Sequence, residues 1–504
     1  MRRSSLALTI SGLLFASAAQ VMGFSLVGPE PPWQTAALGF DPPLPGAFAA
    51  TAGPMNINEE YRWNVPEVHY GYSAEFLSFF GESGVDSIEA GIEVINSVGN
   101  LDQADVDDFP TESGRMNLRA AALGLSDLKS YAMSAIVQAM GLADPTRYSF
   151  VLRSRWVVNN VTNYMVTKRN FDPVTLEPSS FVNGTLYTYI IEDPVPPSNV
   201  AWANNYPVDP LERLFPRTLP VAGSDLYAIP EGFFWTQLTR DDVGGLKHLY
   251  RSSNYNNETA LADVTGGAGA GAAGGAVGFP GGGGSFDFPA GTVGVGGGPF
   301  DFPFNQTNAV AGGQAQVGGA AGVGGAAGGA VQGGNFINPA LKGGFSDIKL
   351  VRADYDSLVG IFFEPLTVRF TETVRTNNRV RSQSLTRIIT QPDIIFDARD
   401  LQAGDASTAP VSIVYQQAFN SSDALDGITG DDFGPGVVVP PFRISFNTVG
   451  PLFLNQQAEG SFFLTEGSLG NQSLLTWGAF DGSTNDPVVF PSGTSILDLE
   501  QQVR

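Results

Sequence analysis

Cysteine is absent from this chain of 504 residues. Its absence excludes disulfides, thiolate nucleophiles, cysteine-bound zinc and iron–sulfur clusters. A chain of this kind has to rely on domain size, packing, bound ions or assembly instead of covalent staples. Histidine is nearly absent: His69 and His248 are the only two. A three-histidine zinc site therefore cannot be built within one chain, and a Ser–His–Asp triad would have to use one of this pair. No Gly-x-Ser-x-Gly elbow is set at a strand–helix turn. Charge is sparse at 15%, and positive charge is the scarcer sign, with 27 Lys and Arg against 50 Asp and Glu and a net charge of −23. A surface of that sign repels phosphate backbones and anionic headgroups, so neither nucleic acid nor a membrane surface is an expected partner. Beyond the N-terminus no run of eighteen apolar residues occurs, and no membrane span is expected.

What is present is enough to build cores: 43% hydrophobic residues, with 35 Phe and 14 Tyr, on a chain long enough for two or three domains. The N-terminus has the layout of a secretory leader. Arg2 and Arg3 precede an apolar stretch over 6–15, followed by the small-x-small site Ala16-Ser17-Ala18, with Val21-Met22-Gly23 as a later option. Residues 1–23 are read as a signal peptide, which places the mature protein outside the cell, at its surface or in the periplasm.

Composition divides the remainder. Residues 24–58 are rich in Pro and Gly and read as an extended arm. Residues 59–257 read as an α+β domain: a β-like start over 61–72, an amphipathic helix over 83–98 with Val85, Ile88, Ile92 and Ile95 on one face, and a helix over 126–140 capped by Ser126 and stopped by Gly141. Strands are expected over 148–158, 164–169, 181–182 and 186–191, the last two joined by an Asn183-Gly184 turn, and a closing helix over 239–250. Residues 258–344 read as a Gly/Ala-rich linker that carries Phe-Asp-Phe-Pro twice, at 286–289 and 300–303, which also suits weak self-association. No Lys-Ser/Thr ending makes a phosphate loop of it. Residues 345–504 read as an all-β, sandwich-like domain with strands over 348–353, 366–371, 379–389, 412–416, 442–446, 461–464 and 474–480.

The segment from Asp127 to Asp144, Asp-Leu-Lys-Ser-Tyr-Ala-Met-Ser-Ala-Ile-Val-Gln-Ala-Met-Gly-Leu-Ala-Asp, resembles the active-site helix of the matrixin-type metzincins, which are zinc endopeptidases. That family carries His-Glu-x-x-His-x-x-Gly-x-x-His. Two histidines four apart on one helical face and a third after a glycine turn hold the ion, and the Glu is the general base. Position by position, the three histidines fall on Ser134, Gln138 and Asp144, the Glu on Ala135 and the Gly on Gly141. Only the glycine and the apolar frame survive. Ser and Gln are poor ligands, Ala135 cannot be a base, and Asp144 alone could bind a cation. Residues 61–98 resemble the family's opening strand and first helix, and Asp241-Asp242-Val243-Gly244-Gly245-Leu246-Lys247-His248-Leu249-Tyr250 its closing helix. The resemblance implies a zincin-like α+β scaffold with inserted β-hairpins between Gly141 and Thr239, a lost zinc site and no peptidase activity.

Zinc is thus not expected, and no cofactor is. Calcium is the metal the acidic clusters could hold: Asp105, Asp107 and Asp108 beside Asp102; Asp426, Asp431 and Asp432 beside Asp423; and Asp481 with Asp486. Solvated turns explain the same clusters. The expected protein is an exported, non-catalytic surface or extracellular-matrix protein whose partners are proteins or polysaccharides at the cell surface, or further copies of itself. One alternative is a secreted metal-dependent endopeptidase with atypical ligands such as Asp144 or His248. Another is a carbohydrate-binding or adhesive protein acting through 345–504, with Trp477 as an exposed platform unless it is a core residue.

Overall fold

A computed structural model describes residues 22–28, 33–40, 53–193, 200–223, 229–266, 336–338, 340–353, 364–398, 413–421, 434–446 and 476–491. The fold is mixed α+β. Six α-helices occur among the described residues: α1 (Ala74–Asn96), α2 (Leu118–Ala122), α3 (Leu128–Ala139), α4 (Pro145–Tyr148), α5 (Pro210–Leu214) and α6 (Arg240–Tyr250). None is long and apolar enough to cross a membrane.

Helix α1 begins where Ser73 Oγ accepts from the Phe76 N–H, and it buries Phe76, Phe80, Val85, Ile88, Ile92 and Ile95. It starts nine residues before the expected 83, because Gly81, with non-helical φ 60° and ψ −159°, joins two helical pieces across a kink. Glycine is the residue that tolerates that backbone, and the kink breaks the apolar period a reader follows. Helix α3 is the central helix: every residue in it but Lys129 is buried. Its cap is Asp127 and not Ser126. The Asp127 carboxylate accepts from the Ser130 N–H at 2.9 Å and the Ser130 hydroxyl at 2.5 Å, while Ser126 lies in the short strand Leu125–Asp127.

Helices α1 and α3 pack together against a sheet whose strands follow the order Lys349–Arg352, Glu67–Tyr72, Ile394–Ala398, Gly436–Phe446, Tyr61–Arg62. These pairings are parallel, with Leu350 opposite Val68, Phe396 opposite Tyr72 and Phe396 opposite Ile444. The strand Ile413–Ser421 adds antiparallel to Gly436–Phe446. Ile394–Ala398 is buried along its whole length, as a strand covered on both faces must be. A second sheet is antiparallel, in the order Tyr255–Glu258, Ala340–Gly343, Leu366–Thr376, Arg379–Ile389, Val264–Gly266.

Strand pairing crosses three of the expected boundaries. The 345–504 stretch is not a self-contained all-β module: its strands share both sheets with residues 61–72 and 255–266, and Thr476–Ala479 pairs in parallel with Leu125–Asp127. The 258–344 stretch contributes strands at both ends, leaving 267–335 outside the described residues. The 24–58 stretch is not simply an arm. Phe24–Leu26 is the middle strand between Leu142–Ala143 and Asn170–Phe171, and Met55 is buried in the main core. The leader over 1–21 and the expected strand over 461–464 lie outside the described residues, whereas Met22 and Gly23 are buried.

Buried charges fasten these parts. Arg62 Nε meets Glu258 Oε1 at 2.7 Å, and its other nitrogens donate to the carbonyls of Leu249, Asn254 and Lys342. Lys342 pairs with Glu372 at 3.1 Å, and Arg387 pairs with Asp263 and Asp393.

Candidate functional site

The face of α3 that resembles a zinc-binding helix is closed by its own side chains. Ser134 and Ala135 are fully buried, and Gln138 is 4% exposed. Ser134 and Gln138 stand four apart and so share a face. Gln138 Nε2 donates to Ser134 Oγ at 3.3 Å and to the Ala222 carbonyl at 3.2 Å. The pair that matches the first two histidines therefore satisfies itself and the 220–222 loop.

Past α3, Gly141 has φ +109°, and a Cβ there would stand 2.3 Å from the Tyr61 carbonyl oxygen. Both facts require glycine. Three residues on, Asp144 caps α4: its Oδ1 accepts from the Thr146 N–H and hydroxyl, each at 2.7 Å, and from the Arg147 N–H at 3.4 Å. The residue matching the third histidine is thus engaged in a helix start.

The closing helix is wired to this face. Thr239 and Asp242 form a capping box, and the same Asp242 carboxylate accepts from Val221 and Ala222 N–H at 2.9 Å each. Ala222 in turn accepts from Gln138. At the other end of α6, Tyr250 Oη donates to the Met140 carbonyl at 2.7 Å and accepts from the Trp63 N–H at 3.3 Å, while Trp63 Nε1 donates to the Ala139 carbonyl at 2.9 Å. The three sequence stretches that carry the resemblance therefore meet in space around the end of α3.

Asp241 and Asp242 are both about 1% exposed. Burial raises both carboxyls: Asp242 against hydrogen bonds from Thr239, Ala222 and Val221, and Asp241 well above the ordinary carboxylate range. Asp127 is likewise pushed up to about 6 by burial, against Lys129 and the Ser130 hydrogen bonds.

The two histidines are held by separate partners. His69 lies between Asp393 at 3.8 Å and Glu67 at 3.7 Å, and burial lowers its pKa against the pull of both carboxylates. His248 packs its ring 5.2 Å from that of Phe24 and lies 3.5 Å from Glu60. Burial alone would raise Glu60, but His248, its own main chain and Asn254 bring it down to about 2.

Of the acidic clusters, Asp105 caps the turn Val106–Asp108 by accepting from the Asp107 N–H at 3.0 Å, Asp107 pairs with Arg240, and Asp108 is exposed. Asp102 accepts from the Ser252 N–H at 2.9 Å. Asp481 accepts from Asn485, and Asp486 pairs with Arg119. Asp423, Asp426, Asp431 and Asp432 lie outside the described residues. Among the described residues no three His, Cys, Asp or Glu side chains are grouped so as to hold a metal ion.

Trp477 is a core residue, 1% exposed, with its ring edge-on to Tyr131 at 5.3 Å and Phe446 at 5.4 Å, so it is not an exposed platform. An open pocket of about 600 Å³ is lined by Arg115, Met116, Leu211, Phe215, Arg217 and Phe233, and no sequence pattern announces it. Its lining comes from three separated stretches, none with a motif of its own.

Comparison with protein-family models, with curated proteins and with solved structures finds no match to this chain.

Proposed function

We propose that this chain is an exported, non-catalytic protein of the cell surface or extracellular matrix, built on a zincin-like scaffold that has lost its zinc site. The observation that carries this reading is the closed face of α3. Where a zinc peptidase would present two histidines, Ser134 and Gln138 bond to each other and to Ala222, and Ala135 supplies no base. The contacts of α6 with the end of α3 through Tyr250, and with the 220–222 loop through Asp242, support the scaffold half of the reading. Its partner would be a protein or polysaccharide at the surface, or another copy of the chain. Calcium is the metal that suits its acidic surface.

The rival reading, an endopeptidase with atypical ligands, draws on Asp144 and His248. Asp144 is engaged in capping α4, and His248 packs between Phe24 and Glu60. The two readings separate in one assay. The mature protein incubated with a peptide library should leave it uncut, with or without a chelator. Chelator-sensitive cleavage that Asp144→Ala or His248→Ala abolishes would establish the peptidase.

A further inference from the structure

The first described residues enter the core directly. Met22, Gly23 and Phe24 are buried, and Phe24 begins the strand between Leu142–Ala143 and Asn170–Phe171. Gly23 is hemmed in: a Cβ on it would lie 2.1–2.5 Å from the Asn170 side-chain amide. Beside it stands the carboxylate of Asp241, 1% exposed, with no Lys, Arg or His ion-paired to it among the described residues. Asp241 Oδ2 accepts from the Asn183 N–H at 2.5 Å. Its Oδ1 has no hydrogen-bond partner of good geometry among the described residues, and neither does Asn170 Oδ1. The Gly23 main-chain N–H is the group that approaches the Asp241 carboxylate from the chain's N-terminal side and favours its charge. A buried carboxyl that desolvation drives toward its neutral form, and two side-chain oxygens without a donor, its own Oδ1 and that of Asn170, thus surround the main chain at residue 23. A carboxylate buried without a cation is costly, and a protonated α-amine would supply both the charge and the three donors.

We propose that the leader is removed between Gly23 and Phe24 and that the α-ammonium so created pairs with Asp241. Hydrolysis of that peptide bond consumes one water. Gly23 leaves with the new carboxylate, and Phe24 keeps the nitrogen, protonated at neutral pH because an α-amine titrates near pH 8. The cut falls after Val21-Met22-Gly23, the later of the two candidate sites for the peptidase of the export machinery, which ends in a small residue. Losing Met22 and Gly23 vacates the space beside Asn170 and Asp241. The Phe24 nitrogen is one residue, about 3.8 Å, from it. The Phe24 ring stays anchored against Phe171 and His248. Cutting after Ala18 would instead leave five residues ahead of the strand and the amine away from Asp241. Processing at this point exchanges the buried Met22 and the Gly23 N–H for an ion pair at Asp241, and that pair is what makes the exported chain more stable than its precursor.

The inference rests on the export half of the proposed function, and one experiment separates their failures. The full-length chain is expressed in a secreting host, recovered outside the cytoplasm, and its N-terminus read by intact mass and terminal sequencing. A start at Phe24 is the expected result. A start at Ala19 overturns the inference and leaves export standing, whereas an uncut chain retaining Met1 overturns both. The pairing is then read on the folded protein by its α-amine. It should resist an acylating reagent at neutral pH and react fully once denatured, and equal reactivity in both states overturns the pairing. A chain released from a fusion to start at Phe24 should melt about 2–4 °C above one starting at Ala19, and in an Asp241→Asn background the two should melt together. Equal melting with Asp241 in place overturns it.

Discussion

Gln138 shows how a single position can close a site. In α3 it occupies the place where the resemblance calls for a second metal ligand, and its amide is committed to Ser134 Oγ and the Ala222 carbonyl. Removing the amide leaves both acceptors buried without that donor, which costs roughly 1–3 kcal/mol. Gln138→Ala should lower the stability measured by denaturant unfolding by that amount. A neutral effect would mean that the closed face contributes nothing. Asp127 gives a pH test. Burial pushes its carboxyl from 3.8 up to about 6, so the folded state holds a proton more tightly than the unfolded chain. Its charge is a cost to folding above pH 6, and that cost disappears as pH falls from about 6 towards 3.8. The gap corresponds to roughly 3 kcal/mol. Asparagine keeps an oxygen for the Ser130 N–H without the charge. Asp127→Asn should therefore gain on the parent at pH 7 relative to pH 4, as read from paired unfolding curves. A stability difference that does not change with pH would contradict the account.

At the scale of elements, Gly141 decides how α3 ends. Its φ of +109° and the 2.3 Å approach of a Cβ to the Tyr61 carbonyl leave no room for a side chain. Gly141→Ala should destabilise by about 1–3 kcal/mol from backbone strain, with more from the clash, visible as a lowered melting temperature. Elements such as this were largely legible in the sequence. The 3–4–3 spacing of Val85, Ile88, Ile92 and Ile95 marks α1, and Asn183-Gly184, both at positive φ, marks a tight hairpin turn. What was not legible has physical reasons. Ser126 and Asp127 are both capping residue types, and only the fold decides that Asp127 reaches the Ser130 N–H. Gly81 breaks the period of α1 without ending it. Composition made 345–504 look like a module because strand patterns state which residues alternate and not which strand they pair with. The parallel match of Leu350 to Val68 joins positions that no local pattern links. The geometry of the candidate site was half legible. The vacant motif could be placed on Ser134, Ala135, Gln138, Gly141 and Asp144, but the partner at Ala222 and the capping role of Asp144 required the fold.

The whole molecule is stitched across its Gly/Ala stretch. Both large sheets take strands from the two sides of residues 267–335, and Arg62, on the N-terminal side, donates to the Lys342 carbonyl on the other. A protease site engineered into that stretch and cut should leave two fragments that co-elute in native size-exclusion chromatography and separate only in denaturant. Fragments that part under native conditions would show that the shared sheets do not hold. The same integration bears on function. A cysteine-free chain with a net charge of −23 gains its cohesion from one interleaved core, with the α3 face that carries the resemblance built into it. The most direct test of that central claim is the zinc content of the mature protein, purified without chelator from zinc-supplemented cultures. The account predicts zinc far below stoichiometric. Stoichiometric zinc, lost on Gln138→Ala or Asp144→Ala, would contradict it.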